Sequence, residues 1–221
     1  MFVRVLHSWD VTPTEAVAIQ RELAPLVLRE GDLAPADVRF VAGVDVSFPR
    51  GDITRAAVVL LGYPDLQVIE TSVVDEPTRF PYVPGLLSFR EAPAILAACA
   101  TLRGEPDLVV VDGQGIAHPR RLGIAAHLGL LLDRPTIGCG KSILVGRHGP
   151  LGEEVGATAD LVDRSEVVGA AVRTRGGVKP LYVSVGHRIS LDVATRWVLA
   201  LCRRYRLPEP QRQAHLAAGR R

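Results

Sequence analysis

The run of four apolar residues at positions 108–111 constrains the fold more than any other feature of the chain. It reads LVVV, follows a segment of helical composition at residues 86–102, and leads directly into Asp112 and a glycine-rich loop. A strand without polar positions must be covered on both faces, as the central strands of parallel sheets are. The run therefore predicts an α/β fold in which helices cover both faces of a sheet.

Three β-branched segments precede that run and predict three more strands. They occupy residues 39–48 (RFVAGVDVSF), 53–61 and 66–74, and Gly, Pro or Asp residues separate them. Short separators of this composition favour hairpins. We therefore predict a mixed β-sheet flanked by helices, in which three antiparallel strands are followed by parallel strands.

The first helix has a clear start signal. Residues 12–15 (TPTE) combine an N-cap threonine, a proline at the first helical position and an acid three residues after the cap. This pattern is typical of a capping box. It predicts a helix from Pro13 to about Glu30, with Gly31 as its terminator.

The second half of the chain alternates between helical and extended patterns. The helix at residues 86–102 contains Pro93, which must lie in its first two turns or kink it. The remaining elements are predicted as helices at residues 121–132 and 190–205 and as strands at residues 136–139, 167–173 and 181–185. No repeat or linker interrupts this order, so we expect one domain over residues 1–221.

Composition restricts the class of protein without identifying a partner. The chain is 48% hydrophobic with a formal charge of +2, so its net charge alone predicts no ligand. Cys99, Cys139 and Cys202 are widely spaced and form no C-x-x-C pair, which argues against a zinc site and a disulfide framework. We expect a cytoplasmic protein without a membrane span. Only the residues after Leu216 have a composition compatible with disorder.

Three acidic residues form the first candidate site. Taken singly, Asp45 could cap a turn or pair with an arginine, Glu91 could favour a helix N-terminus, and Asp112 could form an Asx-turn. Together they place acids on the first strand, on the next helix and at the end of the buried strand. Oxygen-only clusters suit Mg²⁺ or Mn²⁺, and two such ions can clamp the attacking and leaving oxygens of a phosphoryl displacement. The combination indicates a metal-dependent phosphodiesterase.

A tyrosine between two prolines forms a second candidate site. Residues 81–85 read PYVPG, and the two prolines hold the local backbone stiff and extended. If exposed, Tyr82 could stack on or wedge between nucleic-acid bases. Alternatively, it could anchor the loop to the core.

The glycine-rich loop at residues 112–123 forms a third. Its G-x-G lacks both the third glycine of a dinucleotide fingerprint and the ending of a P-loop. The glycines would instead let the backbone approach a ligand closely. His118, Arg120 and Arg121 could reach phosphates, or the arginines could be a solvated helix start. Lys141 could likewise neutralise a phosphate or be an ordinary surface lysine.

The segments VAGVDVSF, PYVPGLLSFRE, VDGQGIAHPRRLGIAAHLGLLLDRPTIGCGKS, VSVGHRISL and RLPEPQRQAH resemble endonuclease V in order and spacing, over nearly the whole chain. The resemblance implies a ribonuclease H-like fold and Mg²⁺-dependent cleavage of nucleic acid that contains deaminated adenine. Deoxyinosine in DNA is the principal bacterial substrate of that family, which nicks the second phosphodiester bond 3′ to the lesion.

The resemblance also implies residue roles. Asp45, Glu91 and Asp112 fall on the metal-binding carboxylates of the family, and Lys141 falls on its active-site lysine. His215 falls where family members carry His or Asp near the metals.

The wedge of the family corresponds to residues 81–84, Pro81, Tyr82, Val83 and Pro84, with Val83 where Ile is common. Its tyrosine fills the space that the flipped base leaves. The pocket for the flipped hypoxanthine corresponds to Gly85, Leu87, Gly113, His118 and Gly123, and flipping costs a few kcal/mol, least for a weakly paired base.

Three alternatives to a DNA endonuclease remain open from the sequence. The same site could cleave inosine-containing RNA, or the protein could be a silent reader of inosine, although all three acids are present. A phosphosugar-binding or nucleotide-dependent enzyme is the third alternative. We expect a monomer whose partner is nucleic acid.

Overall fold

A single eight-stranded sheet runs through the chain in the computed structural model, which describes residues 1–219. The strand order is β3-β2-β1-β4-β5-β8-β7-β6. The strands are β1 (Phe40–Arg50), β2 (Ile53–Gly62), β3 (Gln67–Pro77), β4 (Leu108–Val111), β5 (Thr136–Gly140), β6 (Thr158–Asp163), β7 (Glu166–Val172) and β8 (Leu181–His187).

The pairing of the strands confirms the predicted mixed sheet. Strands β1, β2 and β3 form the antiparallel meander. Strand β4 pairs in parallel with both β1 and β5, so it lies in the centre, and all four of its residues are buried. Parallel pairing is confined to these three strands, because β8, β7 and β6 add to β5 in antiparallel fashion.

Within residues 1–219, five α-helices flank the sheet. They are α1 (Pro13–Leu23), α2 (Leu87–Thr101), α3 (Ile124–Leu132), α4 (Leu191–Leu201) and α5 (Glu209–Gly219). Alternate residues of the central strands pack on opposite faces, with Val41 and Val110 in one core and Val44 and Val111 in the other. None of the helices within residues 1–219 is long and apolar enough to cross a membrane.

The predicted start of α1 is confirmed and its predicted end is wrong. The capping box forms between Thr12 and Glu15, whose carboxylate accepts the Thr12 amide at 2.7 Å. The helix ends at Leu23 because Pro25 cannot donate a helical hydrogen bond, and the chain tightens into a 3-10 turn. Gly31 therefore terminates no helix. Gly31 has a φ of +141° and lies close to the Arg188 carbonyl, where a Cβ atom would be 2.5 Å from the oxygen.

Other element boundaries also differ from the predictions. Helix α3 begins at Ile124, since Arg121 has a φ of +59° that no helix accommodates. Helix α4 ends at Leu201, and the thiol of Cys202 and the hydroxyl of Thr174 both donate to the Arg206 carbonyl beyond it.

Strand β6 was missed by the sequence patterns because it lies at the sheet edge and buries only Leu161. Pro93 does lie within the first two turns of α2, as predicted. Helix α5 continues past Leu216 to Gly219, and residues 220 and 221 lie outside the described part of the chain.

Candidate active site and adjoining cavity

Sheet register places two of the predicted acids side by side. Val44 of β1 pairs with Val111 of β4, and the Asp112 amide donates to the Val44 carbonyl at 3.2 Å. The next residue on each strand is therefore an aspartate, Asp45 on β1 and Asp112 where β4 ends. Carboxyl ends of adjacent parallel strands are where ligand-binding groups collect in open α/β sheets.

Helix α5 carries His215 to this pair. Gly43, Asp45 and Ser47 share one face of β1, as predicted, and α5 packs on it. A Cβ atom at Gly43 would lie 1.9 Å from the Pro210 carbonyl, so only glycine permits this approach. The Ser47 hydroxyl donates to the Ala218 carbonyl at 2.7 Å, and between these two contacts His215 Nδ1 lies 2.7 Å from Asp45 Oδ2. Asp45 thus pairs with a histidine rather than with an arginine or a turn.

Lys141 is fixed on the opposite side of the cluster. Its Nζ forms an ion pair with Asp112 Oδ2, which replaces the Asx-turn considered for that aspartate. Arg206 donates to the Lys141 carbonyl at 3.1 Å, and Gln114 donates to the Ser142 carbonyl at 2.8 Å. The role of Arg206 was not foreseen, because its carbonyl partners lie far away in the sequence.

Glu91 lies on the fifth residue of α2, beyond the first turn where the helix dipole acts most strongly. Burial and the neighbouring carboxyls of Asp45 and Asp112 raise its pKa to about 8. The pKa of Asp45 is also raised, by burial and then by Asp112, although the hydrogen bond from His215 opposes this. The three acids therefore form one electrostatically coupled cluster.

The donor chemistry of the cluster fits a hard divalent cation. Three carboxyls repel one another, and no hydrogen bond to the Glu91 carboxyl occurs within residues 1–219. Lys141 forms an ion pair with Asp112, and His215 is hydrogen-bonded to Asp45. In the described residues, however, no group of three or more His, Cys, Asp or Glu side chains is arranged to hold a metal ion. The residues supply suitable ligands, and binding requires their side chains to converge.

A cavity of about 440 Å³ opens next to Asp112 and Lys141. Its size is within the range of small-molecule sites in proteins. The predicted pocket and wedge residues that line it are Tyr82, Val83, Pro84, Gly85, Leu87, Gly113, His118 and Gly123. Pro81 does not line it and contacts a different cavity, behind the wedge. The wall also contains Gln20 and Ser88, which the sequence patterns had not singled out.

The two central residues of the wedge have different environments. The side chain of Tyr82 is 72% exposed, whereas Val83 packs on the buried cluster of Ala16, Phe80, Leu86 and Phe89. Val83 therefore anchors the loop. Tyr82 is held out at the mouth of the cavity, which rules out the alternative that it anchors the loop to the core.

The carbonyl of Gly85 is the best-supported atom of the cavity wall. It accepts hydrogen bonds from Gln20 Nε2 at 3.0 Å, His118 Nε2 at 2.9 Å and an Arg120 guanidinium nitrogen at 2.8 Å. Gly85 has a φ of +79°, which favours glycine. We call these three side chains and the carbonyl the Gly85 clamp.

The Gly85 clamp holds His118 and Arg120, whereas ion pairs hold Arg121. His118 is buried, and desolvation together with Arg120 lowers its pKa to about 4, so the ring is neutral at pH 7. Arg121 pairs with Asp163 at 2.8 Å and Glu166 at 2.7 Å. The two arginines do not form a helix start, because α3 begins at Ile124, and contact of these groups with phosphates stays a prediction.

Comparisons with known proteins agree with the geometry. The sequence model of Endonuclease V matches residues 21–216. The chain belongs to the endonuclease V family. It is 59% identical over 214 residues to endonuclease V of Gloeobacter violaceus, covering 95% of this chain and 86% of that protein.

Solved endonuclease V structures superpose on most of the chain. The enzyme from Streptomyces avermitilis is 43% identical with a TM-score of 0.91, over 99% of this chain and 96% of that one. Endonuclease V of Ciona intestinalis, in complex with a 24mer DNA containing an inosine followed by a ribo-adenosine, is 28% identical with a TM-score of 0.82, over 93% and 95%. The ribonuclease H-like fold is thereby confirmed, and the family is one of nucleases. A nucleotide-dependent enzyme is set aside.

Proposed function

We propose that the protein is a Mg²⁺-dependent DNA repair endonuclease that recognises deoxyinosine. It nicks the second phosphodiester bond 3′ to the lesion and leaves 3′-hydroxyl and 5′-phosphate ends. The observation that carries this proposal is the position of the acidic cluster, which directly adjoins a cavity with an exposed tyrosine at its mouth.

Asp45, Glu91 and Asp112 would hold the cations, with Mn²⁺ able to replace Mg²⁺. Bound divalent ions supply an activated water and stabilise charge on the leaving oxygen. Lys141 and His215 hold the two aspartates in place from opposite sides. In this position Lys141 would also neutralise an oxygen of the phosphate.

The wedge and the cavity would select the site of cleavage. Tyr82 fills the gap in the base stack, and the flipped hypoxanthine enters the cavity lined by Gly85, Leu87, Gly113, His118 and Gly123. Pro81 and Pro84 keep Tyr82 extended. The complex of the Ciona relative with inosine-containing DNA supports this assignment.

One finding favours a second candidate, an inosine-specific endoribonuclease. The nucleic acid bound by the Ciona relative carries a ribo-adenosine after the inosine, so that family member accommodates a 2′-hydroxyl beside the lesion. A non-catalytic reader of inosine is disfavoured because all three acids and Lys141 are present and clustered. We propose that the protein acts as a cytoplasmic monomer.

A nicking assay tests the proposal. Matched DNA and RNA duplexes, each with and without a single inosine nucleotide, are incubated with the protein in Mg²⁺ or in EDTA, and the cut is mapped. We expect nicking only of inosine-containing DNA and only in Mg²⁺, at the second bond on the 3′ side. Preferential cutting of RNA would favour the endoribonuclease, and inosine binding without any cutting would favour the reader.

A further inference from the structure

Two histidines, the half-buried His7 and the buried His127, connect the N-terminal segment to the cavity wall. His7 Nδ1 lies 2.7 Å from the Ser8 carbonyl oxygen, and His7 Nε2 lies 2.7 Å from His127 Nε2. The second nitrogen of His127, Nδ1, lies 3.1 Å from Ser88 Oγ. Ser88 is 2% exposed and lines the cavity. We call this series of contacts the histidine relay.

The direction of each hydrogen bond in the relay follows from its first member. A carbonyl oxygen can only accept, so His7 Nδ1 carries a proton and donates it to Ser8. In the neutral form of His7, Nε2 is then an acceptor, and His127 Nε2 must be the donor between the two rings. Complete burial lowers the pKa of His127 to about 3, so this ring is neutral and its Nδ1 is an acceptor.

With His7 in its neutral form, the relay fixes the hydroxyl proton of Ser88. Because His127 Nδ1 accepts, Ser88 Oγ donates its only proton to it. Ser88 Oγ has no other hydrogen-bond partner within residues 1–219, so its lone pairs are available to a group in the cavity that Ser88 lines. A serine that could otherwise donate or accept thus presents an acceptor only.

We propose that Ser88 is a specificity-determining residue that accepts a hydrogen bond from N1–H of a flipped hypoxanthine, in a direction set by His127 and His7. This inference rests on the proposed function, since it assigns a contact to the base that enters the cavity. Ser88 carries no part of the hydrolysis.

The chemistry of the two bases explains why such an acceptor is useful. Deamination of adenine replaces an acceptor at N1 with an N1–H donor. Hypoxanthine therefore satisfies Ser88, whereas adenine brings an acceptor against an acceptor and leaves both groups unpaired in a buried cavity. Sites that hydrogen-bond one substrate group reject analogues that lack it much more strongly than apolar pockets do. Guanine also carries N1–H, so its rejection must come from the 2-amino group and the shape of the cavity.

Equilibrium binding in EDTA tests the contact without cleavage. Fluorescence anisotropy would compare labelled duplexes containing one deoxyinosine, deoxynebularine or deoxyadenosine opposite thymine, with wild-type protein and the Ser88→Ala variant. Deoxynebularine lacks N1–H and offers an N1 acceptor. We expect Ser88→Ala to weaken binding of the deoxyinosine duplex roughly tenfold and to leave binding of the deoxynebularine duplex unchanged.

Two outcomes with Ser88→Ala would overturn the inference: an equal loss of affinity for both duplexes, or unchanged affinity for deoxyinosine. A wild-type protein that binds deoxyinosine and deoxyadenosine duplexes equally would instead refute the proposed function, and the inference with it. The two failures are therefore distinguishable.

His7→Phe tests the relay at a distance from the cavity. Phenylalanine preserves the ring packing against Trp9 and Phe89 but removes the acceptor that holds the His127 proton on Nε2. His127 is then free to donate to Ser88. We expect the preference for deoxyinosine over deoxynebularine to fall about threefold or more, and an unchanged preference would contradict the role of the relay, whatever the change in melting temperature.

Discussion

The acidic cluster and the Gly85 clamp lie on the same cavity but are stabilised in opposite ways. In the clamp, three donors converge on one carbonyl, and His118 is neutral with both ring nitrogens hydrogen-bonded. In the cluster, burial and neighbouring carboxyls raise the pKa values of Glu91 and Asp45, while Lys141 pairs with Asp112 and His215 pairs with Asp45. The polar groups of the clamp are already hydrogen-bonded to one another, whereas the cluster would be stabilised by the proposed cation. Substitutions in the two regions should therefore affect different measurements.

The largest effect should come from the cluster. Asp112→Asn removes a carboxylate from the proposed metal site, and we expect Mg²⁺-dependent nicking to fall at least roughly 1,000-fold while the affinity for inosine-containing DNA is retained. Single-turnover nicking would measure the rate, and fluorescence anisotropy would measure the affinity for inosine-containing DNA. Asp160→Asn, at an exposed position on β6, is the control. Nicking by Asp112→Asn at the wild-type rate would refute the assignment.

Substitution of the predicted wedge residue Tyr82 should weaken DNA binding without lowering the stability of the fold. Tyr82 is largely exposed, and loss of stacking costs about 1–3 kcal/mol, so Tyr82→Ala should weaken binding of the inosine duplex about 5- to 150-fold with an unchanged melting temperature. Phe2→Ala removes an equally exposed aromatic ring outside the cavity and is the control. If both variants bind as wild type does, Tyr82 is not a wedge.

Substitution in the Gly85 clamp should mainly lower the free energy of unfolding. Gly85→Ala places a Cβ 2.8 Å from the Arg120 guanidinium in a left-handed conformation, whereas Gly177→Ala has the same backbone strain with no atom within 4 Å. We expect Gly177→Ala to cost about 1 kcal/mol of unfolding free energy. Gly85→Ala should cost about 1–2 kcal/mol more and also weaken lesion binding. Equal costs in urea unfolding would show that the clamp contributes nothing.

The smallest effect concerns pH. Because the folded-state pKa of His118 is about 4, against an ordinary value of 6.5, the unfolded chain binds its proton first as pH falls. The contribution of neutral His118 to the free energy of unfolding is fully present above pH 6.5 and is lost as pH falls toward 4. His118→Gln keeps a donor for Gly85 and cannot titrate, so the slope of unfolding free energy against pH should become shallower by up to about 1.4 kcal/mol per unit. An identical slope would contradict this.

The sequence predicted what depends on local period and missed what depends on distant packing. The LVVV run and the shared face of Gly43, Asp45 and Ser47 follow from the two-residue period of a strand, and both predictions are confirmed. The sequence of the missed strand β6 lacks a clear alternation of apolar and polar residues. An edge strand needs few apolar side chains, and in β6 only Leu161 is buried.

Gln20 shows how a member of the site can escape notice. It lies at helical spacing from Ala16 and Leu23, on the buried face of α1, so its position reads as core. An uncharged polar residue at an apolar position is a signal that could have identified it, since a buried amide must find partners. Those partners, Gly85 and Leu122, could not be named without the fold.

The contact between His215 and Asp45 joins residues 170 positions apart in the sequence. Closing so long a segment is slow relative to forming hairpins or single helices, so this contact depends on prior assembly of the sheet. A chain whose sheet has formed but whose α5 has not docked would hold two neighbouring aspartates without the imidazole. We therefore expect catalytic competence to emerge late during refolding, after the far-ultraviolet signal has already recovered.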